Sequence, residues 1–525
     1  MSYWSTAPMD RQQAVMFAPT LDACISEDHP VRLFLEVLDS RDWRAWEVRY
    51  DGRRGQPPIH PKVMAGVILY GLTQGIRSSR AMERACGNQL DFLWLAEGRV
   101  IDHSTICQFR TSFGKELKGL FREIGRVAMA MGLIRLNQVA LDGTRILANS
   151  SRHQTARRRH LEGSLAALDQ QMEQMLSEAA EADRQEDGLY GEQETPNRLP
   201  AALGKLSARR ELLEGALETV KQLDGKRSKR RDMGSRGAQI PVADPEARVL
   251  QNKDGGSAPN YTPIVGAEGH RGFVVATDLI NDNSEDKVAV EMVDQITEDF
   301  GDKPGQVLAD SNFGTGVNLK ELEDRQIEPL MVVSSNHDGP DNPAHRPDVS
   351  KAVCEEQRAK LPLNPQSKKL DKCCFLYDRQ RDRYHCPMGK SLTFRHTRRY
   401  RRKSGLSGIY RVYQCQDCSG CPLGARCVSR VGSRRAVMRD EYEDYRQTAV
   451  ARLADPAKRK IYDLRMWIVE TVVAVVKQRL GVRQFLHRGL KKVKIEWDWV
   501  CCAFNLDKLV REIARLRRRF AVAVA

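Results

Sequence analysis

Gln138-Val139-Ala140-Leu141-Asp142-Gly143-Thr144-Arg145-Ile146-Leu147-Ala148 breaks a long helical pattern with an extended one and places an acid directly behind an apolar run. Taken alone, Asp142-Gly143 reads as a hairpin turn, because that dipeptide suits the positive φ of a type I′ turn. The other reading makes Asp142 a carboxylate at the end of a strand. Two more acids sit in apolar settings: Asp310 after Val307-Leu308-Ala309, and Glu470 inside Trp467-Ile468-Val469-Glu470-Thr471-Val472-Val473. A carboxylate removed from water costs several kcal/mol unless it is paired, protonated or metal-bound. Burial of all three is therefore expected. Two strand-end aspartates and a helical glutamate are the oxygen donors that a pair of Mg2+ (or Mn2+) ions needs for phosphoryl transfer.

Outward from this stretch, the pattern predicts strands over 261–267 and 272–280, a helix over 284–300, a strand over 306–309 ending at Asp310, a helix over 318–325 and a strand over 329–334. Three strands, helix, strand, helix, strand is a mixed α/β order, that of an RNase H-like core. In it the strands carrying Asp142 and Asp310 lie side by side. Between them, residues 155–187 and 201–223 read as an inserted helical hairpin joined by a loop over 188–200. The basic runs Arg157-Arg158-Arg159-His160 and Lys226-Arg227-Ser228-Lys229-Arg230-Arg231 flank it. Residues 338–378 read as an exposed connection, and the chain reads as helical from Asp440 to a basic tail at 511–519.

The first part of the chain has helical spacing over 61–74, 79–86 and 104–113, with Ser104 as the expected cap of the last. That helix carries Gln108, Arg110 and Thr111, able to reach base edges or phosphates, and the preceding one carries Arg77, Arg80 and Arg84. Either a helix-turn-helix-like DNA-binding domain or a helical bundle with a solvated basic face fits. The organisation expected is a helical DNA-binding domain (1–132), a core (133–151 and 240–337) holding the helical insertion (152–239), a cysteine-rich insertion (338–438) and C-terminal helices (439–525).

The chain has 525 residues, with 84 Lys and Arg against 69 Asp and Glu, giving a formal charge of +15. That balance favours anionic partners, nucleic acid first. No leader and no membrane span are expected, so the protein is placed in the cytoplasm, associated with the nucleoid. Of 13 cysteines, Cys386, Cys415, Cys418, Cys421 and Cys427 crowd together, a metal-site signal in such a chain. Structural Zn2+ is the expected occupant and an iron–sulfur cluster the alternative. Cys501-Cys502 reads as core.

On a helix, Tyr462, Glu470 and Lys477 fall on one face, since offsets of eight and seven residues come close to whole turns. These residues, with Leu141-Asp142-Gly143-Thr144-Arg145-Ile146-Leu147-Ala148-Asn149, Ala309-Asp310-Ser311-Asn312-Phe313-Gly314 and Phe485-Leu486-His487-Arg488-Gly489-Leu490, resemble the DDE transposases of bacterial insertion sequences. The resemblance is to the branch with a Tyr-Arg-Glu-Lys signature. It extends to His60-Pro61-Lys62 and to the cysteine segment. It implies that Asp142, Asp310 and Glu470 bind two catalytic metal ions, and that Tyr462, Arg465 and Lys477 hold DNA. It further implies that Cys386, Cys418, Cys421 and Cys427 bind zinc, with Cys415 spare. Arg465 departs from the signature by one extra residue before Glu470, so it either sits on a bulge or serves elsewhere. The implied activity is cleavage at the terminal inverted repeats and strand transfer into target DNA by at least a homodimer. A nuclease without strand transfer, or a DNA-binding protein that has lost catalysis, are the alternatives.

Overall fold

The computed structural model describes residues 20–50, 57–190, 201–228, 237–252, 255–281, 288–333, 338–339, 341–401, 407–430 and 433–524. Its contacts gather into two compact units. One holds Met1–Arg135, Gly143–Asn283 and Val469–Ala525, and the other Leu136–Asp142 and Ser284–Ile468.

In the first unit, helices Pro30–Asp39, Pro61–Thr73, Ser79–Asn88, Leu90–Leu95, His103–Ser112 and Gly114–Ala130 follow the expected spacing. Pro61–Thr73 is apolar all round and is buried almost throughout, as such a helix must be. The start of His103–Ser112 differs from expectation. Asp102 is the cap: its backbone is extended and its carboxylate accepts the Ser104 amide at 2.7 Å. The C-terminal helix Leu490–Val524 supplies the counterpart core. Trp499 lies in an aromatic group with Trp46 and Phe109, and Asn505 bonds both the amide and the carbonyl of Val274 at 2.9 and 2.7 Å.

The same unit holds the antiparallel strands Ser257–Glu268 and Val274–Ile280. Ile146–Leu147 pairs with Ser257–Glu268, and Arg248–Gln251 does too. Asp142-Gly143 is therefore no tight hairpin turn. Both residues complete the strand Gln138–Gly143, and the chain beyond bonds to a distant partner instead of folding back. The expected helical insertion is present as Arg158–Tyr190 and Ala201–Ser228, over a two-stranded ribbon of Thr155–Arg157 with Gln239–Pro241. Leu161, Leu168, Leu213, Ala216 and Val220 form its core. Of the loop expected over 188–200, residues 188–190 belong to the helix, while 191–200 and the basic residues 229–231 lie outside the described residues.

In the second unit, Gln138–Gly143, Gln306–Ala309 and Glu328–Met331 are parallel neighbours in that order. Parallel pairing needs a crossover, and Gly316–Asp324 provides one. Val139, Ala140, Leu141, Val307, Leu308 and Ala309 are fully buried, in keeping with the unbroken apolar runs of parallel strands. The segment 338–378 is not simply an exposed connection, since Ala344, Leu361, Leu370, Cys374 and Phe375 enter a core. That core backs a five-stranded antiparallel sheet in the order Leu376–Asp378, Arg383–His385, Ser391–Arg401, Ser407–Cys415, Ala436–Arg439. Helices Glu443–Ala454 and Pro456–Ala474 follow. Among the described residues no helix is long and apolar enough to cross a membrane.

Candidate functional site

Asp142 and Asp310 follow directly on the paired residues Leu141 and Ala309, so the parallel register sets them at the same end of adjoining strands. Both are half-buried, not enclosed. Past its strand, Asp310 accepts the Asn312 amide at 2.9 Å, which turns the chain within two residues. Gly314 then lies so close to the neighbouring strand that an added Cβ would stand 2.0 Å from the Val332 carbonyl. No other residue fits there, and the motif Asp310-Ser311-Asn312-Phe313-Gly314 is held in place by that contact.

Arg465 settles the question raised by its spacing. The helix Pro456–Ala474 has no bulge at Arg465; the wider π turn falls later, at Val475–Arg479, and contains Lys477. Arg465 instead pairs with Asp142, Nη1 to Oδ2 at 3.4 Å, both side chains mostly shielded. Tyr462 is nearly buried beneath the guanidinium groups of Arg459 and Arg465, 5.2 and 5.9 Å from its ring centroid. Glu470 is exposed. The expectation of a buried Glu470 is thus corrected, because a helix can face an apolar run inward while every third or fourth residue meets water. So is the expectation of one shared face for Tyr462, Glu470 and Lys477. Tyr462 is covered where Glu470 is open, and the π turn alters the angular offset before Lys477.

Arg110 is also corrected. It is 2% exposed, donates to the Arg77 carbonyl at 2.7 Å, and lies under the C-terminal helix, whose Trp499 donates to the Arg110 carbonyl at 3.0 Å. Burial lowers its pKa against the opposing charge of Glu496. Gln108, two residues earlier, is exposed on the same helix, as are Arg80 and Arg84 on the helix Ser79–Asn88. Arg77 is committed elsewhere, donating to the Gly481 and Gln484 carbonyls at 2.9 and 2.6 Å and pairing with Glu496 at 3.2 Å.

Sequence reasoning missed Glu496. It is buried on the C-terminal helix and accepts the amides of Leu486 and His487 at 3.0 Å and His487 Nδ1 at 2.9 Å. Burial pushes its pKa up, but the His487 hydrogen bond and the Arg110 and His487 charges outweigh that and leave it lowered. Leu147 and Asn149 clasp the same loop: Phe485 donates to the Leu147 carbonyl at 2.8 Å and Asn149 to the Leu486 carbonyl at 2.6 Å. The signal in the sequence was an acid inside Ile495-Glu496-Trp497.

Cys386 opens a tight turn in which the Gly389 amide donates to the Cys386 carbonyl at 2.9 Å. Gly389 has φ +75° and an added Cβ would lie 2.1 Å from the Ser350 carbonyl, so only glycine serves. Cys415 ends its strand and is buried; Cys418, Cys421 and Cys427 follow in the loop and the short helix after it, packed against the same core. Three of the five thiols are raised, by burial and by their thiol neighbours. Burial first, then the Cys421 and Cys418 charges, raise Cys386; Cys427 is pushed to about 11 and Cys415 to about 12. Soft sulfur donors so gathered suit Zn2+.

Among the described residues, one group offers three metal-capable atoms all within 4.8 Å of one another, and the cysteines are not in it: Glu83, Asp102 and His103. There His103 Nδ1 faces Glu83 at 3.1 Å and Asp102 at 3.3 Å, while Asp102 caps its helix.

Asp142 and Asp310 thus stand at the same end of adjoining parallel strands, in a mixed α/β chain of formal charge +15. Residues 385–510 match the family model described as Transposase DDE domain, and residues 19–112 match Transposase domain (DUF772). The two matches, at opposite ends of one chain, support an insertion-sequence DDE transposase. No curated protein matches it.

Proposed function

We propose that this chain cuts DNA at the ends of an insertion sequence and joins the freed ends to target DNA. The observation that carries this reading is the pair Asp142 and Asp310, set in register at adjoining strand ends with a guanidinium 3.4 Å from one of them. Glu470 completes the set on the helix that also bears Arg465, in an RNase H-like core. The hard oxygen donors suit two Mg2+ or Mn2+ ions, which when bound supply Lewis-acid activation of water or a 3′ hydroxyl and stabilise the departing oxygen.

The chain's own residues divide the remaining work. Arg465 orients the Asp142 carboxylate and can turn from it to a phosphate. Lys477, in the last turn before the clasped loop, meets the terminal phosphates, and Tyr462 fixes the Arg465 side chain. Gln108 reads the element end, while the buried Arg110 holds its helix in place. Cys386, Cys418, Cys421 and Cys427 would hold a structural Zn2+, which would tie the turn at Cys386 to the loop that carries the other three. Two ends are brought together by a homodimer.

The test is incubation of the purified protein with Mg2+ and duplexes made from the DNA flanking its gene. Cleavage leaving a 3′ hydroxyl, followed by joining to a plasmid, is expected. Asp142→Ala, Asp310→Ala and Glu470→Ala should each abolish cutting and keep DNA binding. Cutting that survives all three substitutions rejects the site, and cutting without joining reduces the protein to a nuclease.

A further inference from the structure

The strands Ser391–Arg401 and Ser407–Cys415 form a long antiparallel ribbon, and the sequence from Ser391 to Cys415 contains no acid at all. Its root is tied down. Arg411 pairs with Asp382 and lies over the rings of Phe394 and Tyr413, 4.9 and 5.8 Å away. Beyond a register shift between Phe394 and His396, the ribbon changes character. Arg395, His396, Thr397, Arg398 and Arg399 are all exposed, and the acid that reaches this strand, Glu441, accepts from Tyr400 at 3.3 Å. Among the described residues, no acidic group lies within ion-pair distance of Arg395, Arg398 or Arg399.

Three guanidiniums without an acidic partner on one exposed strand repel one another. They are stabilised by an anion with charges repeated along a line. Successive residues of a strand point to opposite faces, so Arg398, paired with Tyr410, and Arg399, paired with Ile409, aim at opposite sides. Arg395 to Arg399 spans roughly 14 Å at ~3.4 Å per residue. A two-stranded ribbon fits the ~12 Å major groove of a double helix, with phosphates on both walls within reach of the two faces. A stacked Tyr400–Tyr410 pair, centroids 4.2 Å apart, stiffens the far part.

We infer that this ribbon is a double-stranded DNA-binding arm that lies in the major groove, Arg395, Arg398 and Arg399 gripping phosphates on both sides without reading sequence. The inference rests on the proposed action on DNA and adds a second, sequence-independent surface far along the chain from the end-reading helix.

The test is carried out on the full-length protein with a random-sequence 40-base-pair duplex. Neutralising three phosphate contacts in the triple variant Arg395→Gln, Arg398→Gln, Arg399→Gln should reduce the slope of log K against log salt by ~2.7. Between 50 and 200 mM salt the wild type then loses ~40-fold more affinity than the variant. The triple lysine variant should keep the slope, because a point charge serves a phosphate. Photo-crosslinking from p-benzoylphenylalanine placed at Thr397 should capture the duplex, which covers the case in which the glutamine variant fails to fold. An unchanged slope, or no crosslink, overturns the arm. Loss of binding to an RNA duplex with DNA binding intact would overturn it too, and assign the ribbon to RNA. If the slope falls but the wild type never cuts DNA with Mg2+, the arm stands and the transposase reading fails. If cutting is seen and the slope is unchanged, the arm alone falls.

Discussion

Replacing Arg465 with Gln should tighten the binding of a divalent cation, against the intuition that removing a signature residue weakens a catalytic site. Arg465 Nη1 stands 3.4 Å from Asp142 Oδ2, with the two side chains 16% and 26% exposed. At an effective dielectric constant of about 20, the Coulomb attraction at that distance is roughly 5 kcal/mol. Solvent at a partly exposed pair reduces this toward the ~1 kcal/mol typical of surface bridges. A cation entering at Asp142 must displace or oppose that guanidinium, so removing it should favour the cation by about 1.4 to 2.8 kcal/mol, or ten- to a hundred-fold in Kd. Calorimetric titration of DNA-free protein with Mn2+ measures this directly. The gain should vanish in Arg465→Gln combined with Asp142→Asn. Unchanged or weaker Mn2+ binding in Arg465→Gln would refute the view that Arg465 is a stand-in charge at the metal site. Cleavage by the same variant should fall, because Arg465 is then missing from the phosphate.

Cys421→Ser should purify without bound zinc, and elemental analysis of the wild type should find one zinc per chain; iron with visible absorbance would reject the assignment. Gly389→Ala should lower zinc occupancy and destabilise the cysteine-bearing sheet by about 1 to 3 kcal/mol, as forced backbone does, measured by chelator-induced unfolding. Arg110→Ala should lower the melting temperature while leaving the ratio of element-end to random-DNA affinity intact, whereas Gln108→Ala should lower that ratio at constant stability. Asp498 is buried, and that desolvation raises its pKa to about 7, against Lys118 and Lys494 and with Asp278. A carboxyl raised above its unfolded value near 3.9 binds the extra proton in the folded state, so stability is lost as pH rises from ~4 to ~7. Asp498→Asn should therefore gain on the wild type over that window, by at most roughly 4 kcal/mol. Melting curves whose difference is flat between pH 4 and 8 would rule this out.

Much of the architecture could be read from local pattern. Apolar runs such as Val139-Ala140-Leu141 and Val307-Leu308-Ala309 have the composition of parallel strands buried on both faces, and they are such strands, in the register that aligns Asp142 with Asp310. The helical spacing of the N-terminal segments and of the insertion likewise needs only near neighbours, which is why their ends agree to within a few residues. The basic, acid-free run over 391–415 is plain in the letters.

What the tertiary structure decided is where side chains of similar type end up. Asp142-Gly143 is a good hairpin dipeptide, but the chain beyond it finds better pairing with Ser257–Glu268, and long-range hydrogen bonds override the local preference for a turn. Gln108 and Arg110 are equivalent candidates by sequence; only the packing of Leu490–Val524 buries one and leaves the other in water. Arg465 could be aligned with a signature, but its partner came from a strand more than three hundred residues away, and charge pairing at that separation has no local trace. Glu496 was half legible: an acid in an apolar helix signals that partners exist, and His487 lies nine residues away, but Arg77 is brought to it only by the fold.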